Sequence, residues 1–147
     1  MKNDLEICVL AAGKGTRMKT SVPKMLQTVA GRSLIEHVIS TAKQLSPAAI
    51  HLVVGEDASA MRALFAEQAD LTWAKQSEQL GTGHAVMQAL PGLNADSATL
   101  ILLGDVPLIQ TETLERLISC DADIAVLTVN LDAPTGYGRI TRDAEGL

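Results

Sequence analysis

Residues 5–18, which read LEICVLAAGKGTRM, decide the fold of this chain. The first six form a short apolar run with β-branched residues, and such a run predicts a buried strand. The run ends at small residues and two glycines, which let the backbone approach a ligand closely and direct N–H groups at an anion. Lys14 and Arg17 add positive charge to the same segment. These residues therefore predict a strand that is followed directly by an anion-binding loop.

Two familiar phosphate-binding motifs do not fit this loop. The Gly-Lys-Ser/Thr ending of a Walker loop is absent, and Met18 stands where the dinucleotide motif Gly-x-Gly-x-x-Gly has its third glycine. A Gly-x-Gly pattern by itself is weak evidence. These residues by themselves are therefore compatible with two interpretations, a phosphate-binding loop and an ordinary solvated basic turn.

Positive charge is concentrated around this loop. The formal net charge is −5, yet residues 7–35 contribute +5 and contain no Asp or Glu, so the other residues sum to −10. A cationic loop on an otherwise acidic chain favours a small anion as ligand, because the phosphates of a polynucleotide would be repelled by the acidic residues outside the loop. We expect neither a nucleic-acid partner nor a membrane partner. The five cations are Lys14, Arg17, Lys19, Lys24 and Arg32.

Size and composition fit one ordinary globular domain. The chain has 147 residues and a mass of 15.5 kDa, with 47% hydrophobic and 20% charged residues. Its apolar runs are too short to span a bilayer, and Asp4 and Glu6 argue against a secretory signal. Cys8 and Cys120 lack metal-ligand spacing and fit reduced core thiols. We therefore expect a cytoplasmic protein.

Strand and helix patterns alternate along the rest of the chain. Ser33 and Glu36 have the spacing of a capping box before one apolar helical stripe, and Thr111 is the predicted cap of another helix. The alternation predicts an α/β fold, Rossmann-like and three-layered, with a mostly parallel sheet and helices on both faces. The predicted strands after the first are Ile50–Val54, Leu71–Lys75, Thr99–Leu103 and Ile124–Val129, and the predicted helices are 34–45, Ala58–Gln68, Gly81–Leu90 and Thr111–Ser119.

Three polar or glycine-bearing segments directly follow predicted strands. They are residues 11–17, 76–83 and 104–105. The carboxyl ends of parallel strands lie at one edge of a sheet, where ligands of such folds bind. The sequence therefore predicts that these segments form one site.

The same segments carry a resemblance to a known family. Residues 10–18, Pro23-Lys24 and residues 30–38 resemble the signature of sugar-phosphate nucleotidylyltransferases. Residues 76–85, 104–108 and 134–140 resemble the N-acetylglucosamine-1-phosphate uridylyltransferase domain of a bacterial bifunctional enzyme, which also has a glucosamine-1-phosphate acetyltransferase domain. The resemblance covers nearly the whole chain.

The resemblance implies a reaction and a set of site residues. UMP would pass from UTP to N-acetylglucosamine 1-phosphate with Mg²⁺ as cofactor, giving UDP-N-acetylglucosamine and pyrophosphate for bacterial cell-wall and lipopolysaccharide synthesis. The implied residues are Arg17 and Lys24 for catalysis, Leu10, Ala11, Ala12, Gly13, Lys24, Gln76, Gly81 and Thr82 for the nucleotide, Leu103, Gly104, Asp105 and Gly138 for the sugar, and Asp105 for the metal.

We make separate predictions for two polar side chains of the motif at residues 76–85. Gln76 offers both a donor and an acceptor, which can pair with the imide edge of uracil. His84 lies in the opening turn of a predicted helix, and we expect it to pack or to contact the backbone rather than to act as a general base.

The resemblance also implies that residues 1–147 are the N-terminal part of the uridylyltransferase domain, truncated at its C-terminal side. The downstream sugar and metal ligands and the acetyltransferase β-helix would be absent, and a homotrimer is expected only of the full-length family member. Two alternatives stay open. One is a UTP-binding fragment without turnover, and the other is a related cytidylyl- or thymidylyltransferase.

Arg17→Ala tests the electrostatic role that the resemblance implies. Because this guanidinium would stabilise charge on the departing phosphates, its loss is expected to lower turnover by about two to four orders of magnitude. Single-turnover rates with UTP measure the effect, and a rate within about tenfold of the unmodified protein would contradict the assignment.

Overall fold

The computed structural model describes residues 4–13, 15 and 22–143 of the chain. Its strands are β1 (Leu5–Leu10), β2 (Thr28–Val29), β3 (Arg32–Ser33), β4 (Ala49–Val54), β5 (Leu71–Lys75) and β6 (Ala98–Leu103). Its α-helices are α1 (Leu34–Gln44), α2 (Ser59–Leu64), α3 (Thr82–Ala89) and α4 (Thr111–Ile118), and short 3-10 helices cover Lys24–Leu26 and Leu90–Gly92. No helix in these ranges is both long and apolar enough to cross a membrane.

A parallel sheet of four strands forms the centre of the fold, in the order β5-β4-β1-β6. Leu10 at the end of β1 pairs with Val53 on one side and with Leu103 on the other. The chain moves outward from β1 through β4 to β5 and then crosses to the far side of β1. This reversal next to β1 opens a crevice at the carboxyl ends of the strands. The predicted α/β fold with a mostly parallel sheet is confirmed.

Helices cover both faces of the sheet, as predicted. Alternate residues of a strand point to opposite faces, so Ile7 and Val9 pack with the buried residues of α1, whereas Cys8 and Leu10 pack with Ala85 of α3. Burial raises the pKa of the Cys8 thiol to about 11, which keeps it in the unreactive protonated form. The apolar runs of the sequence thus become two separate cores.

Cys120 does not fit the prediction of a core thiol. It is exposed just beyond α4, where its Sγ contacts the carbonyl oxygen of Arg116. Both cysteines are free, as expected for reduced thiols.

The predicted capping box at the start of α1 is confirmed. Ser33 Oγ accepts a hydrogen bond from the Glu36 backbone N–H at 3.4 Å, and Ser33 N–H donates to Glu36 Oε2 at 2.7 Å. Hydrogen bonds from the Ser33 side chain and then its backbone lower the pKa of the Glu36 carboxyl. The box fixes where α1 begins, and this helix presents the fully buried Ile35 to the core beneath the crevice.

Several predicted boundaries were wrong. The helix predicted for Ala58–Gln68 ends at Leu64, because Phe65 leaves the helical path (φ −108°, ψ 20°) and buries its ring in the core. Thr111 does not cap α4, since the extended Gln110 precedes the helix and the Thr111 hydroxyl instead donates to Gln44 Oε1 at 2.8 Å.

The strand predicted for Ile124–Val129 is also absent. The side chains of Ile124 and Val126 are 83% and 64% exposed, and β6 forms the edge of the sheet within the described ranges. A β-branched run without a neighbouring strand has no backbone partners and no surface to pack on. The local pattern was therefore insufficient to make a strand.

A buried polar cluster fastens the loop after α3 to the sheet. Glu6 on β1 and His51 on β4 are both buried, with His51 Nε2 3.2 Å from Glu6 Oε2. The same carboxylate oxygen accepts the backbone N–H of Asn94 at 3.0 Å. These groups satisfy one another, so the cluster has a structural role.

Ser33→Ala tests the capping box. Loss of the Oγ acceptor leaves a helix N–H without its partner, so the free energy of unfolding should fall by about 1 kcal/mol in urea denaturation. Ser77→Ala, at an exposed serine that caps no helix, is the matched control.

The same box predicts a pH dependence. The pKa of Glu36 is lowered on folding, so its contribution is present above its ordinary value of 4.5 and is lost as the pH falls through the folded value. The stability difference between the unmodified chain and Glu36→Gln should therefore shrink in acid. A difference that stays constant down to about pH 3 would contradict this assignment.

Candidate functional site

The crevice beside β1 is a cavity of about 710 Å³. This volume is in the range that small-molecule sites occupy. It receives residues from all three segments that follow β1, β5 and β6, so the structure brings together what the sequence separates. Nine of the site residues predicted from sequence line this cavity: Leu10, Ala12, Gly13, Lys24, Gln76, Gly81, Thr82, Leu103 and Asp105.

Three described residues named from sequence do not line the cavity, and a fourth named residue cannot be placed. Arg17 lies outside the described residues. Ala11 is buried in the core below the loop, where its N–H donates to Val53 O at 2.8 Å, and Gly104 is buried beside Leu10. Gly138 is exposed in the irregular segment that follows α4. Ala11 and Gly104 therefore support the site from beneath.

Gly104 sets the distance between the two strands that flank the site. Its N–H donates to Leu10 O at 2.9 Å. A Cβ at this position would lie 3.1 Å from Leu10 O and 3.0 Å from Ile35 Cδ1, so these neighbours would have to shift by a few tenths of an ångström. Glycine therefore lets Asp105, the next residue, lie directly opposite the first loop.

Lys24 and Asp105 form an ion pair across the cavity, joining positions 81 residues apart. Each side chain is 28% exposed, so water weakens the attraction only in part. The Lys24 stem packs against Gly15, where φ is +60° and an added Cβ would lie 2.6 Å from Lys24 Cβ. Glycine at position 15 is thus needed both for its backbone conformation and for the approach of the lysine.

Gln79 links the loop after β5 to the loop after β1, a role that was not predicted from the sequence. Its Nε2 donates to Ala12 O at 2.6 Å. Gly55 makes room for this contact, since a Cβ there would lie 3.3 Å from the same carbonyl oxygen. The position of Gln79 inside the second motif was the available signal, but no local pattern connects it to Ala12.

Gln76 is 4% exposed and its side chain is held on two sides. Its backbone N–H continues the sheet by donating to Val54 O at 2.8 Å. The side-chain Nε2 donates to Gly81 O at 3.2 Å and lies 3.0 Å from His84 Nδ1. Both contacts use the nitrogen, so Oε1 is the atom of this amide that remains for a ligand.

A cation at this site would have one protein carboxylate. The described residues contain no group of three or more His, Cys, Asp or Glu side chains that could hold a metal. Asp105 offers a hard oxygen donor at the cavity wall, and Mg²⁺ is commonly held by one or two carboxylates together with substrate phosphates and water. The arrangement therefore suits a cation that arrives with a phosphate ligand.

Curated relatives with high identity are called bifunctional protein GlmU. The chain is 54% identical over 142 residues to that of Xanthomonas euvesicatoria pv. vesicatoria, which is 97% of this chain and 31% of the relative. It is 51% identical over 146 residues to that of Stenotrophomonas maltophilia R551-3, covering 99% and 32%. The chain thus spans about a third of the length of these relatives, and the resemblance read from the motifs is confirmed.

Solved structures support the same fold. A nucleotidyl transferase from Methanothermobacter thermautotroptrophicus superposes with a TM-score of 0.70 at 21% identity, over 79% of this chain and 57% of that one. A Mycobacterium tuberculosis H37Rv protein in complex with manganese gives 0.66 at 25% identity, over 78% and 58%. The family model of the MobA-like NTP transferase domain matches residues 7–143, and this chain therefore belongs to that family.

Proposed function

We propose that the cavity binds UTP and that the chain serves the transfer of UMP to N-acetylglucosamine 1-phosphate. The products are UDP-N-acetylglucosamine and pyrophosphate. The observation that carries the proposal is the meeting of the glycine-bearing loop, the Gln76 amide and the Lys24–Asp105 pair around one cavity. Family membership and the relatives called GlmU support a nucleotidyltransferase.

Gln76 is proposed to recognise the base. Uracil carries an N–H at N3, whereas cytosine has a lone pair at that position. Because Gln76 Oε1 remains as an acceptor, it can bind the uracil N3–H and would repel the cytosine lone pair. Gly81 and Thr82, at the start of α3, line the cavity beside Gln76 and contribute backbone contacts.

The first loop and the cations are proposed to hold the phosphates. An oxygen of the sugar phosphate attacks the α-phosphorus of UTP, and the bond from that phosphorus to the β-phosphate oxygen breaks to release pyrophosphate. This displacement needs positioning and charge stabilisation more than covalent help from the protein. Lys24 would serve the α-phosphate and Arg17 the β- and γ-phosphates, and Leu10, Ala12 and Gly13 line the cavity with Lys24.

Asp105 is proposed to hold Mg²⁺ jointly with phosphate oxygens. The structural neighbour in complex with manganese supports a divalent cation as cofactor. Such an ion neutralises phosphate charge when bound. Asp105 holds Lys24 through Oδ2, so a cation that drew this carboxylate away would free the ammonium for the nucleotide. One rearrangement therefore supplies both a metal ligand and a cation.

The sugar side of the site is proposed to include Leu103, Gly104, Asp105 and Gly138. Leu103 and Asp105 line the cavity. Residues 1–147 are further proposed to be the first part of the uridylyltransferase domain of a longer cytoplasmic, homotrimeric protein in precursor synthesis for cell wall and lipopolysaccharide. The competing candidate is a UTP-binding unit without turnover, since the chain spans about a third of its relatives.

Isothermal titration with UTP and Mg²⁺, compared with CTP, tests the proposal. We expect UTP to bind about tenfold or more tightly than CTP, and Gln76→Ala to remove that preference, because the amide supplies the discriminating hydrogen bond. Gln110→Ala, at an exposed glutamine beside α4, is the matched control. Equal affinities for UTP and CTP would contradict the base assignment.

Pyrophosphate release from UTP and N-acetylglucosamine 1-phosphate separates the two candidates. Release identifies a transferase, and UTP binding without release identifies a binding unit. If UTP does not bind at all, both are wrong.

Asp105→Asn tests the metal assignment. The change keeps an oxygen but removes the charge that favours Mg²⁺, so the gain in UTP affinity on adding Mg²⁺ should fall by about tenfold or more. Titration of UTP with and without Mg²⁺ measures this gain. Asp96→Asn, at an exposed loop aspartate, should leave it unchanged, and an unchanged gain in Asp105→Asn would refute the assignment.

A further inference from the structure

His84 stands between two amide nitrogens. It is the third residue of α3, and its Nδ1 lies 3.0 Å from Gln76 Nε2. On the other side of the ring, His84 Nε2 lies 3.2 Å from Gln88 Nε2. An amide nitrogen can only donate a hydrogen bond, so each of these two nitrogens needs an acceptor atom on the imidazole ring.

A neutral imidazole accepts at only one of its two nitrogens. Gln88 has an alternative, since the same Nε2 also lies 3.2 Å from the His84 carbonyl oxygen, and its side chain is only part-buried. Gln76 is 4% exposed and has far less access to water. These contacts favour Nδ1 as the acceptor that faces Gln76, with the ring proton on Nε2. The Gln88 amide would then turn its donor away from the ring and keep its bond to the His84 carbonyl oxygen.

This choice determines how the Gln76 amide is oriented. One Nε2 hydrogen goes to Gly81 O and the other to His84 Nδ1. The flipped amide would place Oε1 against two acceptors, the Gly81 carbonyl oxygen and the ring lone pair. The flip is thus strongly disfavoured, and Oε1 stays directed to a ligand as an acceptor.

We propose that His84 is a positioning residue that gives the cavity its preference for uracil over cytosine. The inference rests on the proposed function and adds to it the determinant of base selectivity. Without the ring acceptor, the Gln76 amide can rotate and offer Nε2 to the lone pair at N3 of cytosine. His84 itself need not touch the nucleotide, so its effect is on the ratio of affinities.

Three variants of His84 and Gln88 test the proposal by titration of UTP and of CTP in the presence of Mg²⁺. His84→Ala should lower the ratio of UTP to CTP affinity by about tenfold or more. His84→Asn, which can place Oδ1 where Nδ1 stood, should keep the ratio within about threefold of the unmodified chain. Gln88→Ala is the matched control on the other side of the ring and should also keep it.

A ratio unchanged in His84→Ala would overturn the proposal, and so would an equal loss in His84→Ala and His84→Asn, which would indicate a packing role alone. Failure of the unmodified chain to bind UTP, or to prefer it over CTP, would instead refute the proposed function. The two failures are therefore distinguishable.

Nitrogen-15 NMR of the histidine rings gives a test that needs no substitution. In the unmodified chain, His84 should show the tautomer with its proton on Nε2 and an acceptor at Nδ1. The opposite tautomer would overturn the proposal, even if His84→Ala did not fold.

Discussion

A backbone hydrogen bond at the end of the β1–β6 pairing brings two sides of the site together: Gly104 N–H donates to Leu10 O at 2.9 Å, at the carboxyl ends of the two strands. A Cβ at this position would lie 3.1 Å from that oxygen, so any other residue would require its neighbours to shift by a few tenths of an ångström. The bond lies where the strand order reverses, so the loop after β1 and the carboxylate of Asp105 face the same crevice.

Around that bond, the polar groups of the cavity are paired with one another across segments distant in sequence. Lys24 pairs with Asp105, Gln79 donates to Ala12 O, and Gln76 is held by Gly81 and His84. Such pairing satisfies groups that would otherwise be costly to bury. In the proposed complex, a nucleotide and its cation would replace the Lys24–Asp105 pair, whereas the contacts of Gln79 and Gln76 need not change.

The start and the buried face of α1 were predicted from local patterns, whereas two segments whose structure depends on distant contacts were predicted wrongly. The capping box of Ser33 and Glu36 joins residues three apart, and the apolar stripe of α1 follows from helical spacing alone. By contrast, the segment Ile124–Val129 has the composition of a strand but no strand beside it, and the end of α2 depends on where Phe65 finds the core. The hydrophobic pattern of a segment indicates which secondary structure it favours, but the contacts it makes in the folded protein determine whether that structure forms.

The succession of the four strands of the parallel sheet and the four α-helices, the family and the segments that form the crevice were predicted from the sequence alone, because local patterns and motifs carry that information. Only the tertiary structure decided which side chains meet. Gln79 reaches Ala12 across 67 residues and Lys24 reaches Asp105 across 81, contacts that depend on how β1, β5 and β6 are arranged. The proposed role of His84 could not be predicted from its sequence motif either. It depends on which hydrogen-bond donors lie next to the imidazole ring in the folded protein.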